Sequence, residues 1–312
     1  MQRYLSKGIF ATSADVAAPA RWIGLAPARR CLHAVRVRYG LYLPLFEEFA
    51  DPRRAADLAA VAEQAGWEGL FVWDHILART MAVGDAWTTL AAIAMQTSRM
   101  RIGPMVTPLA RRRPWTLARQ ISAVDHLSGG RLAVGVGLGD DGWREFSSFG
   151  DAAGPRERGL LLDESLEILQ GLLSGEPVSH RGASYQVSTG PFRPAPLQRP
   201  VPLWAACWWP NRKPLARAAR LQGCFPVFSG EGRPGLPAAD DLAVLRGELR
   251  RHGAPDHHDL VVRCATHRMG DAERAAAMAE LARSGVTWML EAFAPAQPAA
   301  EVEAVVRAGP PR

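Results

Sequence analysis

Arg131-Leu-Ala-Val-Gly-Val-Gly-Leu-Gly-Asp-Asp-Gly-Trp-Arg-Glu-Phe146 is the stretch on which the fold turns. It opens as an apolar run, too short for a helix and rich enough in Val and Leu for a buried strand. It then breaks into Gly135, Gly137, Gly139 and Gly142, interleaved with Asp140, Asp141 and Glu145. A turn at a strand end needs one or two glycines. Four within eight residues therefore predict a wall that a ligand approaches closely. The Gly135-x-Gly137-x-Gly139 run is an imperfect GxGxxG, which alone is weak evidence for a dinucleotide site.

Outward from this stretch the chain alternates between strand-like and helix-like segments. Strands are predicted at 35–43, 69–73, 101–106, 132–136, 202–206, 224–228, 260–265 and 287–291. Helices are predicted at 52–64, 86–96, 115–127, 158–173, 214–220, 239–252, 272–284 and 299–307. Asp51 is placed to cap the first helix, Gly66 to stop it, and Pro114 to open the third. Tyr185–Val187 reads as half of a small hairpin. Eight strand–helix units over residues 35–312 predict a (β/α)8 TIM barrel with short insertions. A doubly wound sheet would carry its phosphate-binding glycines after the first strand, where this chain has Leu43-Pro-Leu-Phe46.

Composition bounds the partners. The 312 residues are 48% hydrophobic and 22% charged, enough for a sizeable core. No apolar run reaches the roughly 18–20 residues of a membrane span, so no membrane partner is expected. The formal charge of +6 sits wholly in residues 1–38, where seven basic residues face Asp15 alone. A neutral body argues against a nucleic-acid surface. Residues 1–34, rich in Ala and Arg, read as a poorly ordered extension outside the barrel domain. Cys31, Cys207, Cys224 and Cys264 lack metal spacing and suit free thiols in a reducing, cytoplasmic setting.

A barrel collects its chemistry at the C-terminal ends of its strands. Those ends read Leu43–Phe46, Trp73-Asp-His75, Val106-Thr-Pro108, Gly137–Glu145, Ala206–Trp209, Val227–Gly230, Thr266-His267 and Glu291-Ala-Phe293. The set holds neither a metal constellation nor a G-x-S-x-G nucleophile turn. Aromatics, glycines and a few polar groups suit a flat organic cofactor.

Several motifs, in order, carry a resemblance. They are Tyr39-Gly-Leu-Tyr-Leu-Pro44, Ala65-Gly-Trp-Glu-Gly-Leu-Phe-Val-Trp-Asp-His75 and Arg101-Ile-Gly-Pro-Met-Val-Thr-Pro108. Arg113-Pro-Trp-Thr-Leu-Ala-Arg-Gln120, Val124-Asp-His-Leu-Ser-Gly-Gly-Arg-Leu-Ala-Val-Gly-Val-Gly137 and Leu162-Asp-Glu-Ser-Leu-Glu-Ile-Leu169 follow. Together they make the chain resemble the bacterial luciferase-like superfamily of flavin- and deazaflavin-dependent oxidoreductases. The resemblance implies a TIM barrel, a homodimer and a flavin-type ring across the barrel mouth. It implies ring contacts at Trp73, Asp74, Val106, Thr107, Gly135 and Gly137, and a non-proline cis peptide within Met105–Thr107. It also implies phosphate binding near Asn211, Arg212 and Gly230.

The chemistry is expected at His75, since imidazole is the side chain best suited to acid–base work near neutral pH, with Glu145 as the second candidate. Asp74 either orients His75 or ends the strand. Glu145 can alternatively pair with Arg144 or another loop arginine, and Arg111-Arg-Arg113 reads as a solvated charge run or, alternatively, as a site for an anionic tail. The loop after the seventh strand spans only His267–Asp271, which argues against long-chain aldehyde chemistry and light emission. Three readings follow from the resemblance. The leading one is F420-dependent hydride transfer to or from a small organic substrate. The others are a reduced-FMN monooxygenase and a non-catalytic flavin-binding barrel.

Overall fold

The computed structural model describes residues 36–211, 213–228 and 236–311. The expectations for residues 1–34, Arg212 and Gly230 lie outside them. The barrel strands are β1 (Arg38–Leu43), β2 (Gly69–Val72), β3 (Arg101–Pro104), β4 (Thr107–Pro108) and β5 (Val134–Gly137). The hairpin β6 (Val178–Arg181) and β7 (Gln186–Thr189) stands apart from the barrel, and β8 (Leu203–Trp209), β9 (Gly223–Phe228), β10 (Asp259–Cys264) and β11 (Trp288–Ala292) complete it. Barrel neighbours are parallel and run β3-β2-β1-β11-β10-β9-β8-β5-β4. A parallel bridge from Ile102 to Leu132 closes the ring. β3 and β4 occupy one place, interrupted at a cis Met105–Val106 peptide. Eight places result, as the alternation predicts.

The helices lie outside. They are α1 (Pro52–Ala65), α2 (Ala86–Gln96), α3 (Pro114–Leu127), α4 (Pro155–Ser174), α5 (Lys213–Ala219), α6 (Ala239–Arg251), α7 (Asp271–Arg283) and α8 (Ala299–Ala308). The expected start and stop signals do their work. Asp51 accepts from the Arg53 amide, Pro52 opens α1, and Gly66 ends it in the left-handed region at φ 97°. α4 starts three residues before the expected 158, at Pro155.

Strand alternation divides the core in two. Outward residues such as Leu41, Leu70, Ile102 and Met289 pack under the helices. Inward residues, among them Phe71, Trp204, Trp288, Phe225 and Leu290, fill the barrel. Trp204 and Trp288 plug the lower end, with ring centroids 5.9 Å apart. Above them lies a layer of Trp73, Val106, Ala206, Val227 and Ala292, partly buried against the plug. This layer is the floor of the mouth. Among the described residues no helix is long and apolar enough to cross a membrane.

Candidate active site

The glycine-rich stretch shapes one wall, for local reasons. A Cβ on Gly135 would stand 2.7 Å from the Met105 sulfur, and one on Gly137 would stand 2.6 Å from Val106 Cγ2. Both glycines therefore make room for the segment at the cis bond. Gly139 sits at φ 73°, and a Cβ there would lie 2.7 Å from the Phe146 ring. The loop beyond is stapled by its own acids. Asp141 Oδ1 accepts from the Phe146 and Ser147 amides at 2.9 and 3.1 Å, and Asp140 accepts from Gly142 at 2.9 Å. Arg144, at φ 60°, turns the chain, and Phe146 is fully buried beneath the Arg158 guanidinium. The product of these constraints is the position of Glu145.

Glu145 reaches β2's end. Its Oε2 lies 2.7 Å from His75 Nδ1, and its Oε1 accepts from the Ile76 amide at 2.7 Å and from Arg111 at 3.4 Å. Burial pushes its carboxyl up, but the hydrogen bonds from His75 and Ile76 and the Arg111 charge outweigh this and hold it below the usual carboxylate range. An ionised carboxylate only accepts, so Nδ1 of His75 carries the proton and donates. Nε2 is left without a partner among the described residues. His75 is about a quarter exposed, while Glu145 is buried. The two candidates expected for the chemistry thus form one hydrogen-bonded dyad. The Glu145 partner among the arginines is Arg111 rather than Arg144.

Asp74 neither orients His75 nor merely ends the strand. Trp73 and His75 share the inner face of β2's extension, and Asp74 points the other way. Its oxygens accept from Thr107 Oγ1, from Arg111 at 3.1 Å and from Arg112 at 2.7 and 3.1 Å. Burial pushes the Asp74 carboxyl up, and the Arg112 and Arg111 guanidiniums pull it below its ordinary value. The expected solvated run is corrected at two of its three arginines, for the Arg111 side chain is 2% exposed and Arg112 17%, while Arg113 is exposed. Arg111 links Asp74 to Glu145, so two carboxylates and two guanidiniums balance behind the dyad. Thr107, buried completely, also turns its hydroxyl to Asp74.

Aromatic rings surround the imidazole. Trp143, Phe46 and Trp73 place their centroids 4.8, 5.7 and 5.7 Å from that of His75. Trp73 stacks in turn on Tyr42 at 5.1 Å, and its Nε1 is buried without a partner. The two tryptophans after β8's alanines separate. Trp208 follows Trp204 and Ala206 on the inner face and is 52% exposed, whereas Trp209 turns outward and donates to Asp241 on α6 at 3.0 Å. Asn211 is exposed, in the turn beyond β8 where its amide donates to the Trp208 carbonyl.

A second pair lies outside the wall. His267 Nδ1 meets Glu291 Oε1 at 2.7 Å, and Thr266 donates to the same carboxylate. Sequence spacing hid both dyads, because each joins residues from different barrel units. Phe46 and Trp143 fell within the strand ends that the sequence marked but were given no role there, and the inward-facing Arg263 was missed. The charge at 263, set within the apolar run Leu260-Val-Val-Arg-Cys-Ala265, was the available signal.

A flavin-type ring fits what is present. The floor is apolar and made partly of small residues, an orphaned indole N–H borders it, and the dyad stands at its rim. Among the described residues no group of three His, Cys, Asp or Glu side chains is placed to hold a metal.

Comparison with known proteins agrees. Residues 32–309 match the luciferase-like monooxygenase family. An F420-dependent glucose-6-phosphate dehydrogenase of Nakamurella multipartita is 28% identical over 252 residues, covering 77% of this chain and 70% of that protein. The fold is shared with the coenzyme F420-dependent tetrahydromethanopterin reductase of Methanopyrus kandleri, at a TM-score of 0.67 and 18% identity over 88% of this chain and 97% of that one. Monooxygenase RslO1 of Streptomyces bottropensis is similar at 0.67 and 20%, over 87% and 97%. The chain belongs to the luciferase-like monooxygenase family.

Proposed function

We propose that the protein is an F420-dependent oxidoreductase that moves a hydride between the deazaflavin and a hydroxyl- or carbonyl-bearing small organic substrate. The observation that carries this reading is the His75–Glu145 dyad, with its free Nε2 at the rim of an apolar floor. The similarity to the Nakamurella F420-dependent dehydrogenase supports the choice of cofactor. When bound, the deazaflavin supplies a ring carbon that accepts or releases hydride.

The residues of this chain supply the rest. Trp73, Val106, Gly137, Ala206, Val227 and Ala292 would bear the ring, with Asn211 toward its phosphate. Asp74 and Thr107 act one step back, holding Arg111 and the segment beside the cis bond. His75 Nε2 takes the proton from a substrate hydroxyl as hydride leaves the adjacent carbon, and returns it in the reverse direction. Glu145 keeps Nδ1 protonated, so that Nε2 is the nitrogen that exchanges the proton. Trp143 and Phe46 pack against the imidazole and narrow its exposure to solvent.

The protein is further proposed to act as a homodimer, supported by the exposed Met95 and Leu127 on α2 and α3. A reducing cytoplasmic setting is supported by buried, unpaired Cys207, Cys224 and Cys264.

The test is a titration of the purified protein with F420 and FMN, each oxidised and reduced. Micromolar or tighter F420 binding with weaker FMN binding is expected. A preference for reduced FMN would replace this reading with oxygen chemistry, and binding of neither would leave the flavin assignment without support.

A further inference from the structure

The rim beside the dyad is aromatic, and this bears on what can approach it. Glu145 holds Nδ1 of His75, so a substrate hydroxyl meets the imidazole at Nε2. An oxygen about 3 Å from that nitrogen puts the carbon that bears it about 4 Å away. Groups on that carbon therefore reach the rings around the imidazole, Trp143, Phe46 and Trp73, whose centroids stand 4.8, 5.7 and 5.7 Å from its own. Trp73 belongs to the floor. Phe46 is 3% exposed and meets Trp143 edge-on at 5.7 Å. Trp143 is half-buried, so part of its surface stays open beside His75.

Trp143 is held from both sides. The Gly142 amide before it donates to Asp140 at 2.9 Å, and the Arg144 amide after it donates to the Asp141 carbonyl at 2.8 Å. A ring fixed before a ligand arrives costs little to order, so it can serve as a wall. The charges around the dyad do not suit an anion. Arg111 and Arg112 are engaged by Asp74 and Glu145, and the ionised Glu145 is bonded to the other nitrogen of the imidazole. A phosphate brought to Nε2 would exchange its water for aromatic rings and would be repelled by that carboxylate. An uncharged ring meets neither cost and gains the stacking.

We infer that Trp143 is a specificity-determining residue, its indole the subsite for an uncharged aryl or alicyclic group next to the reacting carbon. The inference rests on the F420 reading above and names its substrate class: alcohols or ketones that carry such a group, as opposed to phosphorylated sugars. In the oxidative direction the carbinol C–H bond breaks with its electron pair, and that hydride passes to oxidised F420. The O–H bond breaks as well; its electron pair completes the carbonyl and its proton goes to His75 Nε2.

Oxidised F420 is titrated into the wild type, Trp143→Ala and Trp143→Phe, with thermal melts to establish folding. Turnover is followed with 1-phenylethanol, cyclohexanol, propan-2-ol and glucose 6-phosphate, and binding of acetophenone to the F420-loaded proteins is measured by calorimetry. The wild type is expected to favour 1-phenylethanol and cyclohexanol over propan-2-ol, and over glucose 6-phosphate, by about tenfold or more in kcat/KM. In Trp143→Ala the preference for 1-phenylethanol over propan-2-ol should fall about tenfold, chiefly through KM, and acetophenone should bind about tenfold more weakly. Trp143→Phe should keep most of both. If Trp143→Ala does not fold, Trp143→Leu takes its place with the same expectation. A wild-type preference for glucose 6-phosphate, turnover of none of the four by protein that binds F420, or an unchanged 1-phenylethanol preference in the alanine variant overturns the inference while leaving the F420 reading intact. Failure of the wild type to bind F420 overturns both.

Discussion

At the scale of the residue, one hydrogen bond decides which imidazole nitrogen is available. Glu145 accepts from Nδ1 and so commits Nε2 to the mouth. A glutamine at 145 keeps the size but also offers an N–H, which allows the imidazole to take the other tautomer or turn. With a hydroxyl substrate that reduces F420, His75→Ala should lower turnover by about 10²–10⁴-fold, the usual worth of a positioned acid–base group. Glu145→Gln should lower it by about tenfold or more and alter its pH profile, with F420 affinity unchanged within about threefold. Equal loss of affinity and turnover in both variants would show that the dyad serves binding. His75 and Glu145 were each visible as residue types at strand ends. Their pairing was not, since it spans 70 positions and depends on the turn at Arg144.

At the scale of the element, carboxylates join neighbouring units. Glu63, near the end of α1, accepts from the amides of Ser98, Arg99 and Met100, so it fastens α1 to the connection between α2 and β3. Burial opposes its charge, but these hydrogen bonds prevail and hold its carboxyl at about 2 instead of 4.5. A depressed folded-state value means that the stabilisation is complete above the unfolded value and is lost as pH falls through the folded one. The gap in melting temperature between wild type and Glu63→Gln should therefore be largest above pH 4.5 and close as pH approaches about 2. A gap independent of pH would mean that packing, not charge, is what the residue supplies. The strands and helices themselves were legible from alternation and caps. The cis peptide at Met105–Val106 followed only from the resemblance, and the break it makes between β3 and β4 was read as one strand over 101–106, because no residue pattern announces it.

At the scale of the whole molecule, the proposed dimer is a question of where exposed apolar surface lies. Met95 is 68% exposed and Leu127 45%, each at the C-terminal end of its helix. Light scattering should give twice the 33.9 kDa chain mass, and Met95→Glu with Leu127→Glu should shift it to the monomer. A wild-type monomer at micromolar concentration would refute the dimer.

The sequence by itself determined the barrel. Eight alternating units leave a parallel sheet few ways to bury both faces, and hydrophobic period and helix caps are local properties that a linear reading captures. It also marked the ends of the strands where chemistry gathers. Only the tertiary structure decided which polar groups meet. It turned Arg111 and Arg112 from a surface run into buried partners of Asp74 and brought Glu145 to His75. The reason is physical. The direction of a side chain follows from the strand's pleat, but its partner is set by register and loop geometry between distant units, and a buried charge finds its stable arrangement only in three dimensions.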